Sequence, residues 1–455
     1  MIGGNSLKIL VIYNNDFSDA SFSAASSSSD RFAEQETEPP GSGGRVLPLL
    51  SSFSSSSPPI PSSFFTTATS TTGPVLPAFV EEDEVFNGDF ARANVVNVAH
   101  SIWGALRELS LTDVSVVPIN GLGELCALLE NDHYDLVVNL CESLNRNSSY
   151  EIEVVKVLER YGVPFTGNSS WSLYYSLDKY TCTSILRKNG VSVPYSVIIK
   201  NLKEIDQYQF PFPCIVKPNQ EDGSTGIDFQ AVVDSKRKLC DQVHRLLEQY
   251  RRPVLIQRYI DGREINVSLI GDKPSKYWGL SEIDFSGYKS NVPKILNYSS
   301  KWMESSSEYK ASVSVGPKLK FATKSSVFDL ARKTAEHLKI NSYARIDMRL
   351  DSEERPYVID VNPNCDLDPE AGFAKTFAFK GVPYRDLIKK IIVDALNSKD
   401  SKDIKSRNIS RSSTLSSALE RKSLFPLPGV GVLSNIGKIG SMMELGSPLE
   451  LSKEF

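Results

Sequence analysis

Histidine and cysteine are scarce, with 4 and 6 copies in 455 residues. No two histidines stand three or four apart, which speaks against a histidine-based metal site. The cysteines are scattered and lack CxxC spacing, so neither a disulfide framework nor a zinc site is expected, and buried free thiols in a reducing compartment are. No apolar run approaches the ~18 residues that cross a membrane. A signal-peptide core is also missing, because Leu7–Tyr13 is short and runs into Asn14, Asn15 and Asp16. A net charge of −4 gives no electrostatic case for nucleic-acid binding. The expectation is a cytoplasmic protein with neither membrane nor nucleic acid as partner.

Serine and proline fill what is missing elsewhere. Hydrophobic residues make up 40% of the chain, below the usual ~45–50%. The deficit lies in two places. Residues 17–77 are dominated by Ser, Thr and Pro, and 398–455 are again Ser-rich. Such segments bury too little apolar surface to fold alone. The remainder has an ordinary composition and enough length for a large core.

That remainder reads as α/β, and more fully as α+β. Leu7–Tyr13 is typical of a buried parallel strand. A helical pattern at Arg92–Leu109, a strand at Val114–Pro118, a helix near Leu122–Glu130 and a strand at Asp135–Leu140 follow. This alternation indicates a doubly wound unit, with 17–77 inserted after its first strand. Trp171–Asn189 reads as one helix, closed by Asn189-Gly190. Strands are expected at Cys214–Lys217, Val232–Val233, Val254–Gln257, Ile265–Ile270, Tyr277–Ile283, Tyr343–Leu350 and Pro356–Val361. Helices are expected at Lys236–Tyr250, Ser325–Leu338 and Tyr384–Asn397. Antiparallel sheets with helices on one face fit this second pattern.

Three stretches carry chemistry. In Phe212–Gly226 an apolar strand delivers Lys217, and the loop Gly223-Ser224-Thr225-Gly226 follows. Such a loop offers N–H groups and hydroxyls to a phosphate, although a tight turn beside a surface lysine would look similar. In Val254–Val267 a strand runs through Gln257, Arg258 and Ile260 to an Asp261-Gly262 turn and then Glu264. Glu264 could meet two ribose hydroxyls, or be an exposed residue of a plain hairpin. The third cluster speaks most clearly. Strand alternation puts Arg345, Asp347 and Arg349 on one face, and Asp360 and Asn362 on one face of the next strand. Two carboxylates and an amide suit Mg²⁺ held together with nucleotide phosphates. The alternative is a structural ion-pair cluster of Arg345, Asp347, Arg349 and Asp360, but like charges in a half-buried sheet are costly without a cation.

In this order the pieces resemble the ATP-grasp superfamily, and within it the D-alanine–D-alanine ligase-like branch, over about Asp135–Ile392. Tyr161–Gly167 (YGVPFTG) is similar to a family strand, Leu177-Asp178-Lys179 to its ATP-contacting step, and Asn297–Lys301 to its mobile loop. The resemblance implies a doubly wound pre-ATP-grasp domain at 1–16 and 78–166. It implies an ATP-grasp small subdomain with a linker helix at 167–272, and a C-terminal subdomain with the metal site at 273–397. The implied activity is an ATP-dependent carboxylate–amine ligase working through an acyl phosphate and releasing ADP and phosphate. Its substrates would be a small carboxylate and a small amine, such as amino acids or a dipeptide precursor. The family often forms a homodimer.

Residue by residue, the resemblance places ATP on Lys179, Lys217, Gly223, Ser224, Thr225, Gly226, Gln257, the backbone of Arg258 and Ile260, and Glu264. Two Mg²⁺, or Mn²⁺ in their place, would sit on Asp347, Asp360 and Asn362, with Arg345 and Lys301 as catalytic groups. A kinase acting on a hydroxyl, or a non-catalytic nucleotide-binding interaction module, are the competing readings. The substrate side departs from the family. Its Gly/Ser-rich signature with a glutamate after the first strand is replaced by Asn14-Asn15-Asp16. Its Pro-Gly loop after the metal asparagine is replaced by PNCDLDPEAGF, where Asp366 and Asp368 would repel a free carboxylate. An acceptor other than D-alanine, carrying positive charge, is the expectation from that loop.

Overall fold

Every residue of the first strand, β1 (Ile9–Asn14), is buried, as a strand covered on both faces requires. This computed structural model describes residues 7–15, 90–145, 147–271 and 277–398. The Ser-rich 17–77, the tail beyond Ser398 and residue 16 lie outside the described residues. β1 pairs in parallel with β2 (Val114–Ile119) on one side and β3 (Leu136–Asn139) on the other, giving the order β2-β1-β3. Helix α1 (Phe90–Glu108) lies on one face, while α2 (Leu122–Asn131) and α3 (Tyr150–Tyr161) lie on the other. The alternating pattern of the sequence therefore folds as the doubly wound unit it suggests.

Helix α3 is absent from the sequence-based assignment, and the strand expected at Tyr161–Gly167 does not form. Gly162 instead caps α3 in the left-handed region, at φ 66°. Beyond it the chain makes a single parallel bridge, Val137 to Phe165, because Pro164 has no N–H to continue a ladder. The helix expected at Trp171–Asn189 is two helices, α4 (Ser170–Leu177) and α5 (Lys179–Lys188). Asp178 breaks them apart. It takes extended dihedrals and its carboxylate accepts the Thr181 N–H at 2.8 Å, starting a new helix.

Two antiparallel sheets follow. The smaller has the order β4 (Ser196–Ile199), β7 (Val254–Arg258), β5 (Cys214–Pro218), β6 (Val232–Val233). Its apolar face packs on α6 (Lys236–Tyr250), whose Leu239, Val243 and Leu246 fall at helical spacing. The larger has the order β10 (Val313–Val315), β9 (Trp278–Asp284), β8 (Arg263–Ile270), β11 (Tyr343–Leu350), β12 (Pro356–Asn362). Two short helices, α7 (Tyr298–Trp302) and α8 (Ser307–Ala311), precede β10. Helix α9 (Phe321–His337) covers one face of the larger sheet through Val327, Leu330 and Ala331. The last helices, α10 (Gly372–Ala378) and α11 (Tyr384–Asn397), pack their Phe373, Ile388 and Ile391 into one continuous core with Ile9 and Val11 of the first sheet. These last two helices thus tie β1 to the segment after β12.

The Asp261-Gly262 turn does not close a hairpin. It passes the chain from β7 in the smaller sheet to β8 in the larger. At that crossing the backbone of β11 comes so near that a Cβ on Gly262 would lie 1.9 Å from the Leu350 carbonyl oxygen. Only glycine fits, since the obstacle is backbone and cannot swing away. Gly262→Ala is expected to destabilise the fold by about 1–3 kcal/mol through overpacking, seen as a lower midpoint in chemical unfolding. An unchanged midpoint would contradict this packing.

Candidate functional site

The two antiparallel sheets face each other across a cleft of about 800 Å³. Of the residues singled out in the sequence, Lys217, Gly223, Ser224, Gln257, Arg258, Ile260, Glu264, Lys301, Arg345, Asp347, Asp360 and Asn362 line it. Lys179 joins through its ion pair with Asp360, and Thr225 lines the neighbouring cavity. Gly226 does not line either. Its φ is +75°, and a Cβ there would meet Pro218 and Tyr250 at 2.8 and 2.9 Å, so it shapes the loop from beneath.

The strand register sets the charge pattern. Asp347 lies directly opposite Asp360, and Arg345 opposite Asn362. Arg345 chelates Asp347 with two bonds, Nε to Oδ1 at 2.7 Å and Nη2 to Oδ2 at 2.9 Å. Asn266 of β8 and Asn362 donate to the same carboxylate at 2.7 and 3.2 Å. Burial works against the guanidinium charge, yet Asp347 holds Arg345 well above its ordinary range. Asp360 receives its positive charge from the other sheet. Lys179 Nζ stands 3.4 Å away and also bonds Asp222 at 2.9 Å. Burial raises the Asp360 carboxyl, but Lys179 and Lys217 outweigh it and hold the group ionised, below its usual value. Lys217 donates to the Ile359 carbonyl at 3.1 Å, and its burial lowers its own pKa.

The ion pairs of the cluster are present, and two opposed carboxylates share one cleft. Glu264 is buried rather than exposed, it bonds Arg349 at 3.0 Å, and burial pushes its carboxyl up despite that partner. Gln257 is buried, with its amide donating to Ser196 Oγ at 3.1 Å. Lys301 is on the short helix α7 rather than in an open loop, because Asn297 Oδ1 accepts the Ser300 N–H at 2.8 Å and starts a turn. Burial and the nearby Arg345 charge lower the Lys301 pKa. Its neighbour Trp302 donates its indole N–H to the Gly223 carbonyl at 2.8 Å, and Ser224 Oγ donates to the Leu296 carbonyl. The phosphate-type loop is thus held against the Lys301 segment.

Several supporting residues carry no signal in the sequence. Asn219 ties down the Lys179 step: it accepts the Tyr180 N–H at 2.9 Å and donates to Asp178 at 2.8 Å. Asn168, 1% exposed, donates to the carbonyls of Tyr343 and Pro363 and accepts the N–H groups of Asn341 and Ser342. It fixes the start of β11 against the end of β12. A lone asparagine in a loop looks like any surface turn residue, and the carbonyls it bonds lie 175 and 195 residues away. Glu142, just beyond β3, enters the adjoining cavity and was also not singled out.

For a divalent cation, the donors are Asp347, Asp360 and the Asn362 side-chain oxygen. Among the described residues no group of three His, Cys, Asp or Glu is placed to hold a metal ion by itself. Two carboxylates and one amide are what Mg²⁺ uses when nucleotide phosphates and water complete its shell. The residues fit such an ion as the partner of a bound nucleotide.

Residues 187–393 match the family model described as "D-ala D-ala ligase C-terminus". A D-alanine–D-alanine ligase of Carboxydothermus hydrogenoformans is 24% identical over 52% of this chain and 74% of its own length. D-alanine–D-alanine ligase B of Clostridium perfringens is 26% identical over 53% and 75%. An uncharacterized protein of Sinorhizobium fredii is 26% identical over 56% and 73%. Among solved structures, D-alanine–D-alanine ligase from Bacillus anthracis complexed with ATP aligns with a TM-score of 0.53, 20% identity and coverage of 71% of this chain and 96% of that one. That likeness gives the fold.

Glu142 yields a test of the cavity's electrostatics. Its side chain meets water in the cleft, but the surrounding protein and then the Asp366 charge push its carboxyl up to about 8, with Asp222 adding to the rise and Lys301 and Arg345 opposing it. A carboxyl raised on folding stabilises most when protonated, and that contribution fades between the ordinary value of 4.5 and about 8. Replacing Glu142 with Gln is expected to flatten the fall in stability across that window, measured by unfolding at both ends of it. An identical slope in the variant would contradict the assignment.

Proposed function

We infer that this chain, an ATP-grasp protein of the D-alanine–D-alanine ligase-like kind, is an ATP-dependent carboxylate–amine ligase. The observation that carries the reading is the pair of opposed carboxylates, Asp347 and Asp360, in a cleft that also holds Lys217, Arg345 and the Gly223–Ser224 loop. Such a cleft can neutralise a triphosphate at one end and a reacting carboxylate at the other.

Gln257 and the backbone at Arg258 and Ile260 would border the adenine, and Glu264 would receive ribose hydroxyls while Arg349 holds it in place. Lys179, Lys217 and the Gly223–Gly226 loop would meet the phosphates. Asp347, Asp360 and Asn362 would hold Mg²⁺, or Mn²⁺, as two ions that draw charge from the phosphoryl oxygens. A substrate carboxylate attacks the γ-phosphorus, the bond to the β-phosphate oxygen breaks, and ADP leaves with its electron pair. The amine attacks the acyl carbon, the C–O bond to phosphate breaks, and phosphate leaves. The amine's proton passes to solvent. Arg345 keeps one guanidinium nitrogen beyond its two bonds to Asp347, and with Lys301 it would stabilise the negative charge in both steps. No covalent enzyme nucleophile is needed, so catalysis is positioning and electrostatics. Substrates of amino-acid size and a cytoplasmic setting, where ATP is available, complete the proposal.

Asp360→Asn keeps the volume and removes one of the two charges. ADP formation over a panel of carboxylates and amines is expected to fall by about 10²–10³-fold, the usual effect of losing one transition-state electrostatic partner. Far-ultraviolet circular dichroism should be unchanged. A variant as active as the wild type would sink the metal assignment. Phosphate release with the ADP separates a ligase from a kinase, which would retain the phosphoryl group on its product.

A further inference from the structure

Two arginines of β11 line the nucleotide cleft, and they are used differently. Arg345 is committed to Asp347. Arg349, 3% exposed, has Glu264 of β8 as its direct cross-strand neighbour. Its Nη1 donates to Glu264 Oε2 at 3.0 Å and to the Lys294 carbonyl at 2.7 Å. Its Nε donates to the Ile260 carbonyl at 3.1 Å, and its Nη2 to the Tyr259 hydroxyl at 3.2 Å. The Tyr259 ring lies 5.3 Å from the guanidinium carbon, and the Tyr259 hydroxyl donates in turn to the Lys294 carbonyl at 3.2 Å. The fork is thus held by the segment after β7, by β8 and by the segment before α7, and nearly all of its N–H groups are spent.

The carboxylate is held at one oxygen only. Glu264 is 7% exposed and lines the same cleft. Among the described residues its Oε2 accepts from Arg349, and its Oε1 accepts from none. Buried polar atoms are nearly always paired, so an oxygen left over beside a cleft points to a ligand donor. Stability alone does not account for the pair, because a buried ion pair generally adds no more than a hydrophobic pair of the same volume. Burial pushes the Glu264 carboxyl up, and Arg349 is the foremost charge opposing that rise.

We propose that Arg349 is the positioning residue for the nucleotide sugar: by pinning Oε2 of Glu264 it fixes the other oxygen as the acceptor of both ribose hydroxyls, and the site thereby selects ribonucleotides over 2′-deoxyribonucleotides. This rests on the placing of ribose at Glu264 in the ligase reading and goes beyond it by assigning the selectivity to Arg349. An ionised carboxylate oxygen offers two lone-pair sites, one for each hydroxyl. A 2′-deoxy sugar fills only one of them. The unfilled site is buried and charged, and a binding site built around a hydroxyl rejects the analogue that lacks it. The bonds to the Ile260 and Lys294 carbonyls keep the guanidinium from following the carboxylate. The geometry is therefore set before the nucleotide arrives.

The test is titration calorimetry of the full chain with ADP and with 2′-deoxy-ADP, each in the presence of magnesium. The wild type is expected to bind ADP about tenfold or more tighter than 2′-deoxy-ADP, the effect of one hydrogen bond to a charged group. Arg349→Met should weaken ADP by about tenfold and 2′-deoxy-ADP by less than about threefold, so that the preference collapses. A merely structural role would weaken both nucleotides alike. Glu264→Gln should remove the preference by itself, and Arg349→Met added to it should change the ratio no further. If Arg349→Met does not fold, as read by far-ultraviolet circular dichroism, Arg349→Lys decides. A lysine is a flexible point charge that cannot hold the fork, so the preference should fall by about threefold or more while ADP still binds. Equal affinity of the wild type for the two nucleotides would overturn the proposal. So would a parallel loss of both nucleotides in Arg349→Met, or an unchanged preference in either Arg349 variant. No ADP binding by the wild type would instead overturn the nucleotide reading beneath the proposal, so the two failures are distinguishable.

Discussion

Asp347 and Asp360 face each other across β11 and β12, and most of the site follows from the need to hold two carboxylates side by side. Like charges in register on neighbouring strands repel, and a half-buried sheet surface gives little water to screen them. The chain answers with two separate sources of positive charge. Arg345 serves Asp347 from the same strand, two residues away. Lys179 serves Asp360 from α5, in a different part of the fold. Removing one partner from such a buried pair generally costs about 3–5 kcal/mol, so neither cation is replaceable without consequence.

That division of labour makes the cleft a product of both sheets. The larger sheet supplies the carboxylates and Arg345, while the smaller supplies Lys217. The break at Asp178 supplies Lys179 at the first turn of a new helix, with Asn219 bonded to both sides of the break. The close passage of Gly262 under Leu350 links the two sheets at one end. The indole of Trp302 bonded to the Gly223 carbonyl links them at the other. A cleft closed at two points, with opposite charges on its two walls, holds its geometry before any nucleotide arrives. This is the preorganisation that electrostatic catalysis requires.

Elements with strict periodicity were legible in the sequence. Lys236–Tyr250, Tyr343–Leu350 and Tyr384–Asn397 fall on the expected boundaries, because their apolar spacing is set by one dominant core face. The charged face of β11 was legible for the same reason: alternation alone places Arg345, Asp347 and Arg349 together. Illegible were features decided by distant partners. The split at Asp178 depends on Asn219 and Gln220 bonding its carboxylate. Helix α3 was hidden by Pro164 and Gly162, whose turn chemistry draws the eye to a strand beyond it. Asn168 and Asn364 join segments far apart in the chain, and a single polar residue carries no period from which to read such a role.

The cavity at the ends of β1 and β3 shows how topology can supply what periodicity does not. In the order β2-β1-β3, the connections leave β1 to one side and then cross to the other, so the switch in direction falls between β1 and β3. Ligands of open α/β sheets bind in the crevice at the carboxyl ends of strands at such a point. Asn14 ends β1 and Glu142 lies three residues past β3, and Asn14 Oδ1 accepts the Glu142 N–H at 3.1 Å. The crevice therefore opens where Asn14 ends β1, and Glu142 reaches it from the segment after β3. With Glu151 brought in by α3 and Asp366 by the loop after β12, three separate elements converge on one cavity with the same charge. Like charges so placed repel, and burial together with that repulsion is what raises the Glu142 and Glu151 carboxyls.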